Sequence, residues 1–286
     1  MKQHFVPEFY LKNFTDEDGL FYIYNVRKGR FKKGDNRFSP ASHFFVPDIN
    51  TVFSKGNASY FVENSFTKHD TLISNIFAKI KERGATQLIP AEWTHLQYFT
   101  NILYWRNPNN TAQLEDLVTN AKNLSVFGAK LINKTTGERE SDDRERELIK
   151  DPQFIRFLRG QMPGITYPEI FTKQEQDHAT IITFPDGLPK LVSDNPVISL
   201  HEQGQSLHTS GMIFPLTPTK VLFRHDRREL IVQSFVKVMI DMLLPAQATN
   251  YVSCTDQSYV LQLLENYRKH YSSVDLLKDK FRKLLQ

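Results

Sequence analysis

The sequence predicts an α+β fold in one domain, with a helical middle layer between β-containing N- and C-terminal segments that come together. Three observations predict it. Runs rich in Tyr, Ile, Val and Phe with turn residues between them occupy positions 1–60 and the first part of 176–286. Between them, in 61–175, the apolar residues recur at helical spacing. No internal repeat and no Gly/Ser- or Pro-rich linker marks a boundary within the 286 residues.

The elements follow in order. Gly19–Val26 is β-prone, Arg27–Arg30 supplies a turn, and Phe31 opens a return strand. Ser39-Pro40 and Val46-Pro47-Asp48 read as loop. Phe66, Ile73, Phe77 and Ile80 share one helix face, ending near Arg83-Gly84. A second helix starts after Pro90, carries Trp93, Leu96, Phe99 and Leu103, and stops at Asn107 before Pro108. A third spans roughly Thr111 to Leu131, and Asp151-Pro152 opens a fourth that Met162-Pro163-Gly164 breaks. The charged run Gly137–Glu147 reads as a solvated loop or helix face. Strands are expected at 179–184 and 190–192, joined by the turn Pro185-Asp186-Gly187, and at 211–216 and 220–223. Helix returns at 228–244 and from Asp256 to the end, with a short strand at 250–254 between.

Composition narrows the function classes. Hydrophobic residues make up 40% of the chain, too many for a disordered protein, and no apolar run approaches the ~18 residues of a membrane span. The net charge of +4 allows nucleic-acid contact without a concentrated basic stripe. The single cysteine, Cys254, removes an intramolecular disulfide framework and a Cys-based zinc site, so a reducing cytoplasm is the expected setting. Gly-rich phosphate loops, the zincin His-Glu-x-x-His and the Gly-x-Ser-x-Gly elbow are absent. Phenylalanine is the excess: nine of 22 lie within the first 53 residues, which predicts an N-terminal lid packed on the rest of the chain.

Four elements bear chemistry. His4 sits among aromatics, where packing holds an imidazole as base or ligand, or simply buries it on a backbone hydrogen bond. Glu63 opens the first long helix, and Asp70, seven residues on, lies on the same stripe as Phe66 and Ile73. A first-turn Glu also suits the helix dipole. Arg106 ends the second helix on the side of Phe99 and Leu103, so it needs a carboxylate, for which Glu63 is the natural partner, or an anionic ligand. Ser193-Asp194-Asn195-Pro196 follows an apolar strand, where loops present binding groups from a rigid base; Asp or Asn before Pro also starts turns for local reasons.

In this order, His4-Phe5-x-Pro7-x-x-x-Leu11-x-x-Phe14, Val62-Glu63, Arg106-x-Pro108, Ser193-Asp194-Asn195-Pro196-Val197 and Phe214-Pro215-Leu216-Thr217-Pro218 form a pattern. It resembles, essentially end to end, the bacterial family catalogued as domain of unknown function 4238. The resemblance implies one domain, a bacterial or phage cytoplasm, and a role for His4, Glu63, Arg106 and Asp194. Asp70 stands where that family usually carries glutamate. No substrate is implied.

Two functions follow as expectations. In the first, His4, Glu63, Arg106, Asp194 and Asn195 line one cleft of a phosphodiester- or nucleotide-cleaving hydrolase, nuclease-like, with a divalent cation such as Mg²⁺ on the carboxylates and a place in bacterial defence or a toxin system. In the second, those residues form a buried network in a non-catalytic binding or regulatory module. A nucleic-acid or protein partner is then met by the Phe-rich surface and by Arg224, Arg227 and Arg228.

Overall fold

Short β-prone runs cut by Gly and Pro cannot form long strands, and the first 59 residues fold as six short ones around a single helical turn. These are β1 (Lys2–His4), α1 (Glu8–Leu11), β2 (Tyr22–Asn25), β3 (Arg30–Phe31), β4 (Phe45–Pro47), β5 (Val52–Ser54) and β6 (Asn57–Ser59). The helices α2 (Phe61–Arg83), α3 (Pro90–Arg106), α4 (Thr111–Asn120), α5 (Asp142–Ile149) and α6 (Pro152–Ile165) follow. Then come β7 (Ala179–Thr183), β8 (Leu191–Ser193), β9 (Ile198–Ser199), β10 (Met212–Pro215), β11 (Lys220–Arg224), α7 (Val236–Gln247), β12 (Tyr251–Cys254), α8 (Gln257–His270) and α9 (Val274–Leu285). The computed structural model describes residues 1–54, 56–83, 88–166, 179–200, 211–225 and 229–285. This is the expected α+β fold.

The two ends of the chain meet in one antiparallel sheet of order β3-β2-β12-β8, in which Tyr24 lies opposite Val252 and Val252 opposite Ser193. A second antiparallel sheet has the order β7-β11-β10-β9, and β1 pairs with β4 apart from both. The phenylalanine excess is largely core: Phe5, Phe14, Phe21 and Phe44 are buried with α2 and α3 residues in one cluster. Tyr10 anchors that lid. Its ring stacks on Phe214 at 5.3 Å and its hydroxyl donates to the Pro215 carbonyl at 2.7 Å. Phe53 is the exception, lying exposed on β5.

Several boundaries differ from expectation, each for a local reason. The third helix stops at Asn120. Asn123 caps a separate turn at Leu124–Phe127 by accepting from the Ser125 N–H, and Gly128 closes that turn at φ +66°. α6 runs through Pro163 to Ile165, since a proline in the last turn removes one hydrogen bond and Asn101 Nδ2 donates to its carbonyl at 2.7 Å. The turn at 185–187 joins strands of two different sheets, so β7 and β8 form no hairpin. α7 begins only at Val236, after the β-branched pair Ile231-Val232. The last helix is two, because Ser273 accepts from the Leu276 N–H and starts α9 afresh.

The charged run is not wholly solvated. Glu145 of α5 is buried, accepting from the backbone N–H groups of Leu124 and Leu131 and from Arg139. Arg139 and those amides hold its carboxyl down at about 2.

Gly160 lets α6 approach α2, because a Cβ there would lie 2.5 Å from a Val62 methyl. Gly160→Ala is expected to destabilise the protein by about 1–2 kcal/mol, overpacking exceeding the gain in helix propensity. A chemical denaturation midpoint measures it.

Candidate functional site

The β1–β4 pairing sets the position of His4 opposite Phe45. Phe44, buried beside it, adopts a left-handed φ of +61°, a strained state for an aromatic residue, and its carbonyl accepts from the Phe5 N–H at 3.0 Å. Strain of this kind persists only where the surroundings over-determine it. Gln3, on the same strand, is fully buried. Its amide donates to Thr51 Oγ1 at 2.9 Å and its carbonyl oxygen accepts from the Asn50 N–H at 2.6 Å.

Asn50 links this strand pair to the helices, its Nδ2 donating to Glu63 Oε2 at 2.8 Å. On α2, Glu63, Phe66 and Asp70 form the expected stripe, and Arg106 of α3 lies across it. Arg106 is 2% exposed. Its Nη1 donates to Asp70 Oδ2 at 2.8 Å, its Nη2 lies 3.8 Å from Glu63 Oε1, and its guanidinium sits 5.0 Å above the Phe66 ring. The inward-facing arginine therefore takes both carboxylates, Asp70 more closely than Glu63.

His4 completes the cluster. Its Nδ1 lies 3.6 Å from Glu8 Oε1, while its buried Nε2 meets no hydrogen-bond partner among the described residues. Burial holds the imidazole below its usual value; Glu8 opposes that, Arg106 reinforces it and Glu63 opposes it more weakly. Near neutral pH the ring is uncharged, and so able to accept a proton. Asp70 is shifted the other way, burial raising its carboxyl against the pull of Arg106. Arg106 Nε and Asp70 Oδ1 are likewise buried without a partner among the described residues.

Asp194 is placed differently. Its backbone reaches the end of α3, where its carbonyl accepts from Asn107 Nδ2 at 2.8 Å, one residue beyond Arg106. Its carboxylate turns to the chain before β12: Oδ1 accepts from the Thr249 N–H at 3.0 Å, and Oδ2 from Asn250 at 2.6 Å and Tyr251 at 3.1 Å. Burial still raises its carboxyl, against those three amides. Asn195 presents its carbonyl to Gln247 Nε2 at 2.6 Å. Arg224 ends β11, opposite Met212 and Ala179, and Arg227 and Arg228 lie outside the described residues.

Three residues join the cluster that sequence reasoning did not find: Gln3, Asn50 and Arg159. Arg159 of α6 is buried, donating to the Ile49 carbonyl at 2.5 Å, Asn50 Oδ1 at 3.4 Å and Thr111 Oγ1 at 3.4 Å. Burial, then Arg156, lowers its guanidinium to about 10. A Gln, an Asn and an Arg far apart in the sequence leave no periodic signal; only the β1–β4 pairing and the α2–α6 contact assemble them. Among the described residues no group of three or more His, Cys, Asp or Glu is arranged to hold a metal ion. Nor is any of the described helices long and apolar enough to cross a membrane.

Four stretches of the chain, β1, α2, α3 and α6, thus bring an uncharged imidazole, two carboxylates and two buried guanidiniums together. Such a set can bind an anion and move a proton. No curated protein and no solved structure matches the chain. The model of the family described as "Protein of unknown function (DUF4238)" matches residues 2–235 of the 286, and the chain belongs to that family.

Proposed function

We propose that the protein is a phosphodiester- or nucleotide-cleaving hydrolase centred on His4, Glu63, Asp70 and Arg106. One observation carries the reading: the half-buried His4 ring, whose Nε2 is buried and unpartnered, lies in the field of a buried guanidinium whose Nε is also unpartnered. Arg106 neutralises the non-bridging oxygens of a phosphodiester. Water then attacks phosphorus as His4 Nε2 takes its proton; the bond to the leaving oxygen breaks, and that oxygen recovers the proton. Glu63 and Asp70 hold Arg106 in place. RNA, DNA or a nucleotide is the substrate class, and a bacterial cytoplasm, with a role in defence or a toxin system, is the setting that goes with it.

The second reading is a non-catalytic binding or regulatory module. It is favoured by the Asp194 carboxylate, which is taken up by three backbone amides, and by the depth of Arg106.

Incubation of wild type and His4→Ala with RNA, DNA and nucleotides, with and without Mg²⁺ or Mn²⁺, separates the two. Hydrolysis by wild type that falls roughly 10²–10⁴-fold in a folded His4→Ala supports the enzyme. Absence of wild-type turnover under every condition supports the binding module.

A further inference from the structure

A cavity of about 530 Å³ opens between the β5–β6 hairpin, the start of α2 and the start of α6. Its walls include Phe53, Phe61, Val62, Phe154 and Phe157, and Val62 is the immediate neighbour of Glu63. The volume lies within the ~300–1,000 Å³ of small-molecule sites, and the mixture is typical of them: mostly apolar walls with a few polar groups, here Ser54, Asp151 and Gln153.

The aromatic rings are costly to leave in water. Phe61 is 59% exposed, Phe53 42% and Phe157 38%, although all three line one cavity. The Phe61 and Phe157 centroids lie 6.5 Å apart, with ring planes 30° from parallel. That is within the range of direct aromatic contact. The two exposed, tilted rings together present one aromatic face on which a flat ring can stack. A cation stands at the rim: the Arg156 guanidinium lies 6.0 Å from the Phe53 ring centre and is tethered to the Thr51 carbonyl at 3.2 Å. A flat ring joined to an anionic group matches both features.

We infer that this cavity is a nucleobase clamp, in which Phe61 and Phe157 stack on a base while its phosphate extends toward Arg106. The inference rests on the hydrolase reading for the direction of the phosphate, and names the base-recognition subsite of that centre. Stacking is tolerant of base identity, because every base has a π face, so the clamp grips single-stranded nucleic acid or a nucleotide without strong sequence preference. The hairpin side is fixed by the Phe53 N–H, which donates to Gln153 Oε1 at 2.7 Å, so the Phe53 wall is tied to α6.

The test uses the full chain and two probes, 2-aminopurine riboside 5′-monophosphate and a single-stranded hexanucleotide containing one 2-aminopurine, read by fluorescence quenching. Wild type is expected to bind and quench both. Phe157→Ala and Phe61→Ala, at partly exposed positions, are expected to fold and to bind about 5- to 150-fold more weakly, the range for losing one base–aromatic stack. Binding of the probes by a protein that turns over no substrate would leave the clamp standing and remove the hydrolase. Turnover with KM unchanged in Phe157→Ala would do the reverse. The clamp is overturned if wild type fails to quench either probe, or if both Phe variants bind as wild type does. It is also overturned if those variants only abolish self-association, which would make a second copy of the chain the occupant.

Discussion

Arg106→Leu is expected to cost about 3–5 kcal/mol of stability, the usual consequence of removing one partner from a buried ion pair. The substitution keeps much of the side-chain volume but leaves Asp70 and Glu63 facing an apolar group. The pH dependence identifies the cause. Burial already raises the Asp70 carboxyl above its unfolded value, and Arg106 is what restrains it. Without Arg106 the folded-state value rises further, so the folded variant binds a proton that the unfolded chain releases. Its stability should therefore increase as pH falls through that raised value. Arg106→Lys keeps the charge but not the planar fork that reaches Asp70 and Glu63 together, and should fall between the two. Urea denaturation of the three proteins at two pH values measures all of this.

Asp194→Ala is expected to be comparably damaging, by about 3–5 kcal/mol, because three partly buried amide donors lose a charged, buried acceptor at once. Those amides lie where the chain enters β12, the strand that joins β2 from the N-terminal segment to β8. Asp194→Asn should recover little, since its NH₂ group would face N–H groups. The check is a shift of the denaturation midpoint with an unchanged m-value. Any loss of turnover in these variants should follow the folded fraction, as expected for a residue that positions backbone and touches no reacting atom.

The contrast between Arg106 and Asp194 shows what the sequence made legible. Helical spacing located α2 and α3 nearly to the residue, because Pro90 and Pro108 punctuate a strongly periodic run, and it put Glu63, Asp70 and Arg106 on facing stripes. An inward arginine requires a carboxylate, so the pairing itself was readable. Its preference for Asp70 over Glu63 was not, since both lie on one stripe and the distances are set by the crossing of the helices. Strand partnership was legible for β2–β3, joined by a short local turn. β7 and β8 are successive strands joined by the 185–187 turn, yet they pair elsewhere, β7 with β11 and β8 with β12. The strand-end Asp194 looked like a presented group, whereas its carboxylate organises the adjoining backbone. Glu145 hid within a charged run for the same reason: whether a carboxylate faces water or amides depends on contacts that composition does not encode.

The central claim is that an uncharged His4 beside Arg106 takes a proton from the water that attacks a phosphodiester. It is tested most directly by the rate of single-stranded RNA cleavage by wild type and His4→Ala from about pH 5 to 9. With the imidazole value lowered by burial, wild-type kcat/KM should rise with pH, turn over below the ordinary histidine value, and be flat through neutrality. In folded His4→Ala that acid limb should vanish along with roughly 10²–10⁴ of the rate. An unchanged rate and an unchanged acid limb in His4→Ala would contradict the account.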